Sequence, residues 1–226
     1  MKICFFSDIH GNYEAFSAGF ELILNEHADM YIFLGDICGY YFDTLKIWYE
    51  LKKIKNLSYL LGNHDSFFLE SYKTGKISPQ YTKKYGPSLE MLLQECSEDF
   101  IKWLQKAKKV YSNKMLSLMS CHGGPEDYLK QYIYPDSPLP KSYFRYIITG
   151  HTHYPMSRLH GEHFYGNPGS IGQPRNGDCP SYAILHTEQK NGWVVRHFTY
   201  DRRPLLEKLN TMNAPAYLRQ ILLRQK

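Results

Sequence analysis

No CxxC pair occurs in this chain, no apolar run approaches the roughly 18 residues of a membrane span, and no block of like charge stands out. Each absence excludes something. The five cysteines, Cys4, Cys38, Cys96, Cys121 and Cys179, are odd in number and far apart, so they outline neither a thiolate metal site nor a disulfide framework. Free thiols in a reducing cytoplasm are the expectation. The opening MKICFFSDIH reaches Ser7 and Asp8 before the apolar region of a signal peptide can form. The net charge of +5, from 27 basic and 22 acidic residues, is too mild and dispersed to argue for a nucleic-acid partner. It supports weak attraction to anionic substrates and no more. Internal repeats, linkers and low-complexity segments are also missing.

What is present suits one soluble domain over residues 1–226, a length that allows one sizeable core. Short apolar runs recur and are often bounded by glycine: KICFFS (2–7), MYIFLG (30–35), LSYLLG (57–62), MLSLMS (115–120) and YIIT (146–149). HFYG (163–166), YAILH (182–186) and WVVRHF (193–198) follow. These read as buried strands. Between the first two, Phe16, Phe20, Ile23 and Leu24 fall on one helical face. Ile47, Leu51 and Ile54 repeat at helical spacing after Asp43, a plausible N-cap. SLEMLLQECSEDFIKWLQKA (88–107) is helical in period, with a break expected near Ser97. Strands alternating with helices, then strands with little helix, predict an α/β fold of two packed sheets flanked by helices. The basic tail, 201–226, reads as one or two peripheral amphipathic helices interrupted at Pro215.

Polar residues gather where five of those strands end. They are Asp8-Ile9-His10, Gly35-Asp36, Gly62-Asn63-His64-Asp65, His122-Gly123 and Gly150-His151-Thr152-His153. Ligands of open α/β sheets sit beyond the carboxyl ends of the strands. Asp8, His10, Asp36, Asn63, His122, His151 and His153 would thus share one rim. Each fragment alone has a plain reading, as a turn or a satisfied core histidine. Five such coincidences at five strand ends favour a joint role.

In this order, D-x-H, G-D, G-N-H-D, H-G and G-H-T-H resemble the calcineurin-like metallophosphoesterases. GNPGSIGQPRNGDCPSYAIL (166–185) is similar to the small prokaryotic phosphodiesterase branch of that superfamily. The likeness runs from residue 1 to about 200 and is weak over 66–114, which is expected to form a helical cap. It implies a two-sheet β-sandwich with helices outside and two divalent metal ions. Asp8, His10 and His153 would bind one ion, Asn63, His122 and His151 the other, and Asp36 would bridge them. Mixed carboxylate and imidazole donors favour manganese, with iron, zinc or nickel as alternatives, over magnesium or calcium. His64 would protonate the leaving oxygen, and Asp65 would orient it by accepting a ring N–H.

The resemblance also has departures. GDICGY and LGNHD place Gly39, Tyr40 and Leu61 where the superfamily's protein phosphatases carry phosphate-clamping arginines. An arginine fork suits a dianionic monoester. Its absence points to phosphodiesters of small molecules or nucleotides, with no membrane partner. Phosphomonoesters, phosphoproteins and a non-enzymatic interaction scaffold are the alternatives. Arg175 is a candidate substrate-binding cation or a surface turn residue. Tyr40, Tyr41 and Tyr128 are candidate cleft residues or plain packing. Oligomeric state is not encoded in any of these features.

Overall fold

The computed structural model describes residues 1–175, 177, 179–189 and 192–224. Asn176 and Asp178 of the 166–185 motif, and Gln225 and Lys226 of the expected tail, lie outside the described residues.

Strands and helices alternate through the first half: β1 (Lys2–Phe6), α1 (Tyr13–Asn25), β2 (Met30–Phe33), α2 (Thr44–Leu51) and β3 (Leu57–Tyr59). Four helices follow, α3 (Asn63–Thr74), α4 (Pro79–Tyr85), α5 (Ser88–Glu95) and α6 (Glu98–Gln105). Next come β4 (Val110–Asn113), β5 (Leu118–Cys121), β6 (Tyr146–Ile148), β7 (Pro155–His160), β8 (His163–Pro168), β9 (Ser181–His186) and β10 (Trp193–His197). The chain closes with α7 (Arg203–Thr211) and α8 (Ala216–Leu222).

One sheet has the order β10-β9-β1-β2-β3 and the other β4-β5-β6-β8-β7. This is the expected two-sheet α/β sandwich. In the first sheet β1, β2 and β3 run parallel, and in the second β5, β6 and β8 do. The remaining pairings are antiparallel. Parallel centres give each sheet a single edge of carboxyl ends, where the polar loops emerge.

Side-chain alternation builds the layers, because successive strand residues face opposite sides. Ile3 and Phe5 of β1 point between the sheets, with Ile32, Leu118, Tyr146 and Ile148. Cys4 and Phe6 point outward onto Phe16, Ile23, Ile47 and Leu51 of α1 and α2. The helical break near Ser97 is present. Ser97 caps α6, its side chain accepting from the Phe100 N–H at 3.3 Å. Asp43 occupies the N-cap of α2 but does not cap it. Its carboxylate instead accepts from Lys46 (2.9 Å) and Lys208 (2.6 Å), which ties α2 to α7.

Strands β4 and β7 are additions to the expected elements, whereas α4 lies within the stretch expected as a helical cap and α3 opens it. Val110–Asn113 is half-polar and β7 carries exposed residues, so neither has the dense apolar run of a buried strand. The tail breaks at Pro215 as expected, but it is more than a peripheral appendage. Leu205, Leu209 and Leu218 are fully buried against Tyr40 and Tyr41, residues of the loop that follows Asp36.

Candidate active site

Loops at the strand ends hold unusual backbone. Asp8 (φ 55°), His10 (52°), Asp36 (62°), His151 (65°) and His153 (63°) are all left-handed. Aspartate and histidine tolerate that region better than most residues. Even so, each such residue costs on the order of 1–3 kcal/mol and persists only where its surroundings dictate it. Those surroundings are backbone hydrogen bonds between loops. The Ile9 and His10 N–H groups donate to Asp36 O, Gly11 N–H to Ile37 O, and Gly172 N–H to Asp8 O. Gly62 allows α3 to start against Asp36, since any side chain there would overlap Asp36 Oδ1.

The imidazoles are oriented by the same backbone. His10 Nδ1 donates to Cys38 O at 2.9 Å, His122 Nδ1 to Leu34 O at 2.9 Å, and His153 Nδ1 to Gln173 O at 2.7 Å. A carbonyl only accepts, so Nδ1 carries the proton in all three. In its neutral form each ring therefore points an Nε2 lone pair inward. Nε2 of His10 and Nε2 of His153 lie 3.2 Å apart. Asp8 Oδ1 is 3.3 Å from His153 Nε2 and 3.7 Å from His10 Nε2. On the other side, Asp36 Oδ2 is 3.2 Å from His122 Nε2 and 3.8 Å from His10 Nε2. Asn63 Oδ1 lies 2.9 Å from His122 Nε2.

Two donor groups result, Asp8/His10/His153 and Asp36/His122/His151, all buried, with donor atoms in each group within 4.8 Å of one another. Asp8 Oδ1, Asp36 Oδ2 and His151 Nε2 are buried and lack hydrogen-bond partners. Unpartnered buried acceptors and converging lone pairs are costly unless a positive charge sits among them. Oxygen and imidazole donors with backbone-fixed outer nitrogens fit divalent cations. All seven predicted ligands are thus brought together.

Ionisation follows the same demand. Burial alone would raise the Asp8 and Asp36 carboxyls, yet the imidazoles around them hold both below the ordinary range. Burial lowers His10 well below its usual value and takes His151 down to about 3. Burial opposes the charge on His122 too, but Asp36 outweighs it and raises the ring to about 9. One proton on His122 meets part of the cluster's need for positive charge.

The expected His64–Asp65 pair is not formed. Asp65 accepts from the backbone N–H groups of Asp36 (2.8 Å), Cys38 (2.9 Å) and Gly62 (3.1 Å). The reason is helical geometry: Asn63 begins α3, and successive side chains on a helix diverge by about 100°. The segment opens a helix, where its sequence by itself read as a turn. Asp65 therefore staples the Asp36 loop to the start of α3, and burial, then Asp36, raises its carboxyl to about 6. His64 stays beside the cluster, its ring centred 5.0 Å from that of His10. Its Nδ1 lies 2.9 Å from the Tyr81 hydroxyl.

Arg175 donates its backbone N–H to His153 O at 3.3 Å. Burial opposes its charge, but Tyr40, Tyr217 and Asp8 outweigh that and hold the guanidinium above its usual range. Tyr40 packs against His10 with ring centres 4.5 Å apart, whereas Tyr41 turns into the tail cluster and Tyr128 is exposed. Sequence reasoning missed Tyr132, whose ring is centred 4.1 Å from His151, and Tyr81 and Tyr85 beside His64. The one available signal was the four-residue spacing of Tyr81 and Tyr85, which places them on one helical face.

Fold and site together define a class. A calcineurin-like phosphoesterase superfamily domain matches residues 1–190, and the chain belongs to that superfamily of divalent-metal-dependent phosphoester hydrolases. Particular relatives follow from this. The uncharacterized protein MJ0912 of Methanocaldococcus jannaschii is 29% identical over 96% of this chain and 95% of its own. The crystal structure of a metallophosphoesterase from Sphaerobacter thermophilus superposes with a TM-score of 0.80 at 20% identity, covering 100% of this chain and 99% of that one. Phosphodiesterase YfcE of Escherichia coli is 40% identical over 42 residues, 19% of this chain and 23% of its own. No helix among the described residues is long and apolar enough to cross a membrane.

Proposed function

We propose that the chain is a binuclear phosphodiesterase acting on small molecules or nucleotides in the cytoplasm. The observation that carries the binuclear reading is the pair of buried donor groups joined at Asp36, whose Oδ2 lies 3.2 Å from His122 Nε2 in one group and 3.8 Å from His10 Nε2 in the other. Asp8, His10 and His153 would hold one ion, Asn63, His122 and His151 the other, and Asp36 both. Manganese suits this donor set best, with iron, zinc or nickel as alternatives. Bound there, such ions supply charge neutralisation on phosphate oxygens and activation of water near neutral pH.

The chain's own residues do the rest. His64 stands beside the ligands without belonging to either donor group and delivers a proton to the leaving oxygen. Arg175 binds a non-reacting phosphate oxygen. Tyr40 closes one wall with an aromatic face where a second cation would be needed to grip a dianion. A single arginine without a partner favours the monoanionic diester. The similarity to a protein named phosphodiesterase supports this preference. Segment 66–114 acts as a partial cap through α4, whose tyrosines reach His64. The whole of 1–226 acts as one domain, since the tail buries its apolar face against the Tyr40–Tyr41 loop.

The test is a manganese-supplemented comparison of kcat/KM for a bis-aryl phosphate and the matching mono-aryl phosphate. We expect the diester to be favoured by about 10-fold or more, equivalent to about 1.4 kcal/mol. A monoester preference would sink the diester reading and leave a phosphomonoesterase.

A further inference from the structure

Asp65 is spent on backbone donors, so something else must orient His64. Tyr81 fills that place. Among the described residues, its hydroxyl makes the one hydrogen bond to the His64 ring, at Nδ1 and 2.9 Å. The nearby carboxylate of Asp36 takes the backbone N–H of His64 instead, at 2.8 Å.

Two features build the contact. Gly39 has φ of 95°, and a Cβ there would lie 2.7 Å from His64 Nδ1 and 2.9 Å from the Tyr81 hydroxyl. The glycine thus leaves the room that the hydrogen bond occupies. Helix α4 then fixes the phenol from behind. Tyr81 stacks on Phe67 of α3 (4.7 Å, 13°) and packs against Tyr85 (4.7 Å), and Thr82 Oγ1 donates to Glu90 of α5 at 2.8 Å.

We propose that Tyr81 is the positioning residue of His64, its hydroxyl occupying Nδ1 so that Nε2 is presented to the leaving oxygen. The inference rests on the hydrolase role proposed for His64. A hydroxyl both donates and accepts. It can therefore accept the Nδ1–H of the imidazolium before proton delivery and go on accepting it afterwards, when only Nε2 has lost its proton. The ring keeps one orientation through both protonation states. An ionised carboxylate only accepts and would favour the charged ring throughout.

Tyr81→Phe removes the hydroxyl and keeps the ring stacked on Phe67. In the manganese enzyme, kcat on a diester with a poor leaving group should fall about 10-fold or more, part of the roughly 10²–10⁴ a positioned acid contributes. KM and metal content should be unchanged, and an activated aryl leaving group should be nearly unaffected. In a His64→Gln background the same substitution should add nothing, because both act through one group. Equal losses on both leaving groups, loss of metal, or additivity with His64→Gln would each reduce Tyr81 to packing. A second readout needs no turnover. In the zinc-loaded, diamagnetic protein, the His64 ring ¹⁵Nδ1 resonance should shift in Tyr81→Phe; an unmoved resonance overturns the contact. If wild type turns over no phosphoester, the hydrolase reading fails while this resonance still decides the Tyr81–His64 pair.

Discussion

Asp36 concentrates the electrostatics of the site. One carboxylate oxygen, Oδ1, accepts from the His64 N–H, while Oδ2 is buried, without a hydrogen-bond partner, and 3.2 Å from His122 Nε2. In Asp36→Asn the shared negative charge disappears, yet the shape and the His64 contact are retained. Saturated metal content, expected at two ions per chain in the wild type, should fall well below two. Elemental analysis after manganese reconstitution measures it, and retention of two ions would show that Asp36 does not bridge. Left-handed backbone at Asp8, His10, Asp36, His151 and His153 belongs to the same scale. None of that strain could be read from the residues in order, because it is imposed by hydrogen bonds from other loops.

At the scale of elements, the sheets deliver the ligands and the helices form the walls. The apolar periods of α1, α2, α5 and α6 were legible because each buries a face against β-sheet or neighbouring helix. Helix α4 was not, since it is seven residues long and none of them is fully buried. The tail helices show how a wall is anchored. Leu209 is fully buried and packs in one cluster with Tyr40, Tyr41 and Leu218. Truncating a buried leucine to alanine typically costs about 2–5 kcal/mol through lost transfer energy and a cavity. Leu209→Ala should therefore lower the midpoint of thermal unfolding. It should also raise KM several-fold by loosening Tyr40, with kcat changed less. Thermal melts and steady-state kinetics on a diester check this, and an unchanged KM would confine the tail to stability.

For the whole molecule, the buried cluster makes metal-free stability depend on pH from both sides. His10 and His151 are depressed by burial, His151 to about 3, while the unfolded rings titrate near 6.5. Below 6.5 the unfolded chain binds more protons at these positions, so stability falls as pH falls. Asp65, raised to about 6 by burial and Asp36, acts in the opposite sense between the ordinary carboxyl value of 3.8 and 6, one group against the depressed rings of His10, His64 and His151. His122 is raised to about 9 despite burial, because Asp36 favours its charge. Its contribution is complete below 6.5 and is lost as pH rises through 9. Chelated protein should therefore be most stable near pH 6.5, losing thermal midpoint on either side. A melt series from roughly pH 4 to 9 measures the profile, and a flat one would contradict the electrostatic account.

The alternation of strands and helices, the two-sheet architecture and the seven polar residues at the strand ends were all legible in the order of the residues. Those follow from local facts: side-chain period along a strand or helix, and the direct attachment of Asp8, Asp36, Asn63, His122 and His151 to the ends of apolar runs. Which group orients which was decided only by the tertiary structure. Asp65 follows His64 in sequence, but the turn of α3 swings it onto three backbone N–H groups. Tyr81, 17 residues further along, reaches the ring instead. Hydrogen-bond partners are set by direction and distance in space, and a helix start turns adjacent side chains apart while loops bring distant ones together.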